Sequence, residues 1–186
     1  MYKGSSRPST PLRSRKIIRL PNYDYSNSGD YFVTICVKDF KCVFGKIQNR
    51  ILFLNQLGNI AKKCWLEIPE HFPCVGLDEF IIMPNHLHGI IMIRDRGDMV
   101  CRDTACRVPT GEQFSKPTPG SIPTIIRSYK SAVKKWANEN GFDGFRWQGR
   151  FYEHIIRNEK SLNNIRDYII NNPVMWDEDR NNPKFN

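Results

Sequence analysis

The chain has 186 residues but only four histidines, and none of its six cysteines forms a C-x-x-C pair. Without paired spacing, a structural zinc framework is disfavoured. Cys36, Cys42, Cys64 and Cys74 lie inside or beside apolar segments, where a reduced thiol behaves as a small hydrophobe. Cys101 and Cys106 fall in a stretch with linker composition. Reduced thiols point to a cytoplasmic protein. Long apolar runs are also missing. The longest, Phe80 to Met83 and Gly89 to Ile93, are far short of the ~20 residues a membrane span needs, so no membrane partner is expected. No apolar run follows the basic N-terminus, which excludes a secretory signal. Neither G-x-x-x-x-G-K-[ST] nor G-x-G-x-x-G occurs, so nucleotide-cofactor chemistry has no cradle. Acids are sparse: 19 against 28 Lys plus Arg, a net charge of +9. That surplus suggests a polyanionic partner, nucleic acid or an acidic membrane surface, and of the two nucleic acid is the one expected. The 40% of hydrophobic residues suffices for one compact core.

Residues 1–22 carry Lys3, Arg7, Arg13, Arg15, Lys16 and Arg19 and no acid, and the basic, flexible arm is taken to extend over 1–29. A folded domain is predicted over 30–176 and a C-terminal tail over 177–186. Tyr31 to Val37 alternates as a strand, and Cys42–Ile47 and Ile51–Leu54 form a hairpin. Leu57, Ile60, Ala61, Cys64, Trp65 and Ile68 recur at helical spacing, with Pro69 as a stop. Val75–Met83 and His86–Ile93 read as strands joined by Pro84-Asn85. A Pro/Gly-rich loop covers 94–121. Beyond it, Ile122, Ile125, Ile126, Tyr129, Val133 and Trp136 make the apolar stripe of a helix whose basic face bears Arg127, Lys130 and Lys134. A last helix runs from Glu159 to Asn171, capped by Asn158 and stopped by Pro173. The order predicts an α+β fold, an antiparallel sheet with helices on one or both faces.

Two histidines form His86-Leu87-His88. On a strand, residues i and i+2 share a face, so both imidazoles project together. Such a pair suits a divalent metal, or else two neutral histidines satisfied by local hydrogen bonds. Tyr168 and Asn172, at i and i+4, stack on one helical face. An Asn oxygen can complete a site with two histidines and leave positions for phosphate oxygens. Tyr168 is then either a nucleophile or an edge-of-core phenol beside Ile165 and Ile169. A phenol has a pKa of ~10 and needs help to attack at neutral pH. Its product on DNA, a phosphotyrosine ester, retains the bond energy for rejoining.

Three segments, FIIMPNHLHGIIMI (80–93), WQGRFYEHIIRN (147–158) and IRDYIINNP (165–173), resemble the REP-associated tyrosine transposases. These belong to the IS200/IS605-like Y1 group of HUH single-strand nucleases, and the similarity runs from about Tyr31 to Trp176. The resemblance implies a ferredoxin-like antiparallel sheet with packed helices, the HUH endonuclease fold. It implies Tyr168 as nucleophile, His86, His88 and Asn172 as ligands of Mg²⁺ or Mn²⁺, and a 5′-phosphotyrosine intermediate on single-stranded DNA beside a hairpin. Asn172 before Pro173 is closer to the REP-associated branch than the Gln of other Y1 enzymes. Trp147, Gln148, Arg150, Glu153, His154 and Arg157 belong to the family signature. Arg127, Lys130, Arg150 and Arg157 are the candidate DNA contacts, and His154 is either structural or a third imidazole. A monomer and a homodimer are both compatible with the sequence. The alternative is a non-catalytic nucleic-acid-binding protein on the same fold, and a hydrolase using water in place of tyrosine is a third reading.

Overall fold

A computed structural model describes residues 23–94 and 118–185. The basic run 1–22, most of the Pro/Gly-rich loop, Cys101 and Cys106 lie outside the described residues. Four strands, β1 (Gly29–Cys36), β4 (Val75–Ile82), β5 (His86–Ile93) and β6 (Tyr152–Ile156), form one antiparallel sheet in the order β4-β5-β1-β6. Between β1 and β4 lie the hairpin β2 (Gly45–Gln48) and β3 (Ile51–Leu54), then α1 (Gln56–Leu66) and the short α2 (Ile68–His71). α3 (Ile122–Glu139) joins β5 to β6, and α4 (Glu159–Asn171) follows β6. Within the main sheet this is βαββαβ with the first and third strands central, the ferredoxin-like arrangement predicted above, with α2 and α4 as added helices.

Alternation sorts the side chains. Tyr31, Val33, Ile35, Leu87 and Ile91 enter the main core with Trp65 of α1 and Ile122, Ile125, Ile126, Tyr129 and Val133 of α3. Phe32, Thr34, His86, His88 and Ile90 project from the other face. There Phe32, Ile90, Ile156 and Ile169 form a smaller core that receives α4. Gly89 makes the two-sided packing feasible, because a Cβ there would sit 2.4 Å from the Trp65 ring. α4 buries only Ile169 completely, about 2 kcal/mol of transfer free energy. A forked ion pair adds to its docking: Arg166 on α4 donates to both oxygens of Asp78 on β4, at 2.9 and 2.5 Å.

Several local readings change. The folded part begins before Asp30, since Tyr25 is buried and its carbonyl accepts from Ile122 N. Pro69 opens α2 rather than closing α1; a first-turn proline has no N–H that the helix needs. β6 went unpredicted because five residues on a sheet edge carry little pattern. Residues 177–185, read as a tail, carry Asn181 and Asn182 buried and include the 3₁₀ turn Pro183–Phe185. Asn158 caps α4 as predicted, accepting from Ser161 N at 2.8 Å. Among the described residues, no helix is long and apolar enough to cross a membrane.

Candidate active site

Both histidines of β5 are buried, and their Nε2 atoms face each other at 3.0 Å. Each ring is held from behind. Asn85 Nδ2 donates to the Phe40 and Asn181 carbonyls, at 2.9 and 2.7 Å, so both of its hydrogens are committed. Its Oδ1 therefore accepts from His86 Nδ1, at 2.7 Å, leaving the lone pair of His86 on Nε2. Thr34 Oγ1 bonds His88 Nδ1 at 2.8 Å from the neighbouring strand. Burial is the main cause that drives the His86 pKa well down and that of His88 to about 3; His88 adds to the first shift and Arg180 to both. Both rings are neutral at pH 7, the form that ligates a metal. Two Nε2 atoms at this distance are reconciled by a proton on one of them or by a cation that accepts both lone pairs.

Tyr168 comes from α4, and its hydroxyl lies 3.2 Å from His88 Nε2. The phenol is 46% exposed, with one edge open to the cavity. Burial raises its pKa above the ordinary value and Asp179 adds to this, while a hydrogen bond from Asn172 and the charge of Arg180 oppose it. Asn172 is the first residue past α4 and is buried, its Oδ1 lacking a hydrogen-bond partner among the described residues.

Asp179 is the residue that sequence reasoning missed. Its side chain is 4% exposed, and Oδ2 lies 3.5 Å from His86 Nε2 with no hydrogen-bond partner among the described residues. One ligand atom each from His86, His88 and Asp179 fall within 4.8 Å of one another. A buried carboxylate oxygen and a buried amide oxygen, both orphaned beside two neutral imidazoles, are a donor set that fits a divalent cation. No spacing in the sequence marks Asp179. Thr34 and Asn85 had a faint signal, as polar residues within or beside strongly apolar strands.

Thr34, His88, Tyr168, Asn172 and Asp179 line a cavity of about 820 Å³ that also takes in Phe32, Tyr152, Asp167, Glu178 and Arg180, with His86 buried behind its wall. Among the described residues the carboxylates of Asp167, Glu178 and Asp179 outnumber the one guanidinium of its wall, so a phosphate entering it gains from a bound cation. The candidate DNA contacts are dispersed. Arg150 borders an adjoining cavity, and exposed Arg157 lines a third with His154 and Asn158. Arg127 is exposed on α3, which packs on the other face of the sheet. Lys130 turns inward: its ammonium donates to the carbonyls of Gln148 and Arg150, at 2.7 and 3.3 Å, and so braces the approach to β6. Burial lowers its pKa to about 8. His154 is exposed on β6 opposite Phe32, in the cavity with Arg157 and apart from the imidazole pair.

No family model matches the chain. An uncharacterised protein of Haemophilus influenzae is 44% identical over 169 residues, 91% of this chain and 93% of that protein. Another protein of the same organism, provisionally named a REP-associated tyrosine transposase, is 28% identical over 158 residues, 83% of this chain and 77% of its own length. Among solved structures, a REP-associated tyrosine transposase bound to a REP hairpin superposes with a TM-score of 0.52 at 20% identity, covering 85% of this chain and 72% of the other.

Proposed function

We propose, on the premise that the chain is a relative of the REP-associated tyrosine transposases and carries their fold, that it nicks and rejoins single-stranded DNA beside a hairpin through a tyrosine ester. One observation carries the reading. The hydroxyl of Tyr168, from a helix 80 residues further along the chain, lies 3.2 Å from Nε2 of His88, within the imidazole pair.

His86 and His88, with Asn172, Asp179 or both, would hold a divalent cation, Mg²⁺ or Mn²⁺. When bound, it supplies Lewis-acid polarisation of the phosphate. The Tyr168 oxygen attacks phosphorus, the P–O3′ bond breaks, and the 5′-phosphate remains on the phenol as the free 3′-hydroxyl departs. The proton the phenol gives up passes to solvent, and the departing 3′-oxygen takes one up from it; burial and the charge of Asp179 hold the phenol proton on, while the Asn172 hydrogen bond and the charge of Arg180 oppose them. A 3′-hydroxyl attacking the ester reverses the chemistry and joins the strands, which needs no nucleotide cofactor. Arg150 and Arg157 border cavities next to the site and would meet the DNA backbone.

The test is covalent capture. Hairpin oligonucleotides from repeats beside the gene, labelled at either end, are incubated with the protein and Mn²⁺ and separated under denaturing conditions. A 5′-phosphate-linked adduct that requires metal and is absent from Tyr168→Phe is the expected result. Cleavage without an adduct would assign the attack to water; binding without cleavage would leave a nucleic-acid-binding protein.

A further inference from the structure

A second cavity of about 340 Å³ adjoins the active site, and Thr34, Tyr152 and Arg180 are walls of both. Its character differs from that of the first. Phe40, Phe151 and Tyr152 give it aromatic surface, Gln148 and Asn181 give it amides, and Arg150 joins Arg180 at its border. Tyr152 sits on the edge strand β6, opposite Thr34, which is itself opposite His88 on β5. Its ring is 42% exposed although it packs edge-on against Phe32. A partly exposed aromatic ring two strands across from the histidine pair is available for stacking.

Two further features indicate that the cavity is built for a ligand. Asn181 is only 8% exposed, yet its Nδ2 finds no acceptor among the described residues. A buried amide donor without a partner costs stability unless a bound group supplies the acceptor. Phe40, a bulky residue, is held at φ 51 with its carbonyl taken by Asn85. Left-handed backbone at such a residue is costly and is kept where it serves a site. Asn85 thus joins three groups, the Phe40 and Asn181 walls and the His86 ring.

We propose that this cavity holds one unstacked nucleobase of the DNA strand, next to the phosphate that Tyr168 attacks, with Tyr152 as the stacking surface and the Asn181 amide at the base edge. The chemistry matches on each count: an apolar ring face, a hydrogen-bonding edge and guanidinium groups at the mouth for the flanking phosphate. Tyr152 and Asn181 are positioning residues that fix the strand across the active site. The inference rests on the proposed action on single-stranded DNA.

The experiment uses full-length Tyr168→Phe protein, so that binding is read without cleavage. Hairpin DNA carries 2-aminopurine at each single-stranded flank position in turn, and a parallel set carries one abasic site. At one position, fluorescence should change on binding. Adding Tyr152→Ala should abolish that change and weaken binding about tenfold, while Tyr152→Phe preserves both. The abasic site at that position should weaken the parent similarly and add nothing to Tyr152→Ala. Identical behaviour of the Ala and Phe variants at every position, or additive losses, overturns the pocket. Adduct formation by the wild-type chain separates the two ideas: an adduct with no coupling to Tyr152 removes only the pocket, and coupling without an adduct removes only the cleavage reading. Absence of binding overturns both.

Discussion

His86 Nδ1 donates to Asn85 Oδ1 at 2.7 Å, and this bond between chain neighbours aims the Nε2 lone pair of His86 at the His88 ring. Asn85 is fully buried, and its amide nitrogen meets two backbone carbonyls from distant segments. The bond therefore links ligand orientation to the packing of the 37–41 and 179–182 segments.

Asn85→Leu removes the acceptor while keeping bulk. Groups behind a ligating histidine typically account for about 10- to 100-fold in metal affinity, and a loss in that range is expected for Mn²⁺. Calorimetric titration reads it; an unchanged affinity in a folded variant would show that Asn85 does not orient His86.

Asp179 and Asn172 present rival orphaned oxygens. The carboxylate brings charge as well as a lone pair, so Asp179→Asn should weaken Mn²⁺ binding by about tenfold or more, with a smaller loss for Asn172→Ala. The reverse order would make Asn172 the principal oxygen ligand.

Acid should destabilise the metal-free protein. The folded-state pKa of His88 is about 3, against 6.5 when unfolded. Above about pH 6.5 both states are neutral and the contribution is complete. As pH falls below that value the unfolded chain takes up a proton that the folded chain refuses, and stability drains until about pH 3. Between pH 6.5 and 5 the loss is about 2 kcal/mol for His88, and His86 acts in the same direction. Melting in EDTA across this range checks the slope. A flat profile would mean that the pair is not buried and neutral.

Arg150→Ala should lower the slope of log affinity against log salt by about 1, since a lost phosphate contact releases one fewer counterion. Arg127→Ala should leave the slope unchanged, because α3 covers the opposite face of the sheet. Equal effects from the two would place the DNA across α3 instead.

Gly89→Val would drive methyl groups into Trp65, whose ring is already 2.4 Å from an ideal Cβ at that position. Overpacking of a tight core costs about 1–3 kcal/mol, and denaturant melts should show at least that. A neutral result would mean that α1 shifts freely on the sheet.

By itself the sequence determined whatever depends on near neighbours along the chain. Alternation in Tyr31–Val37 and His86–Ile93, the 3.6-residue stripe from Ile122 to Trp136 and the Asn158 cap are local, and each is present in the structure. His86 and His88 share a face because strand geometry leaves no other choice. Their meeting with Tyr168 was readable only through the resemblance carried by three separated segments. Tertiary structure alone decided the rest. Asp179 joins the pair because the chain past α4 folds back on the sheet, a contact 93 residues from His86 that no periodicity encodes. Lys130 looked like part of a basic face, yet its ammonium is drawn inward by the carbonyls of Gln148 and Arg150. Helical spacing assigns a residue to a side of its helix; what lies within reach of a long side chain depends on segments packed there from elsewhere. Asn85, read as a turn former, became the hub of the site because both amide hydrogens found carbonyls that only the assembled fold supplies.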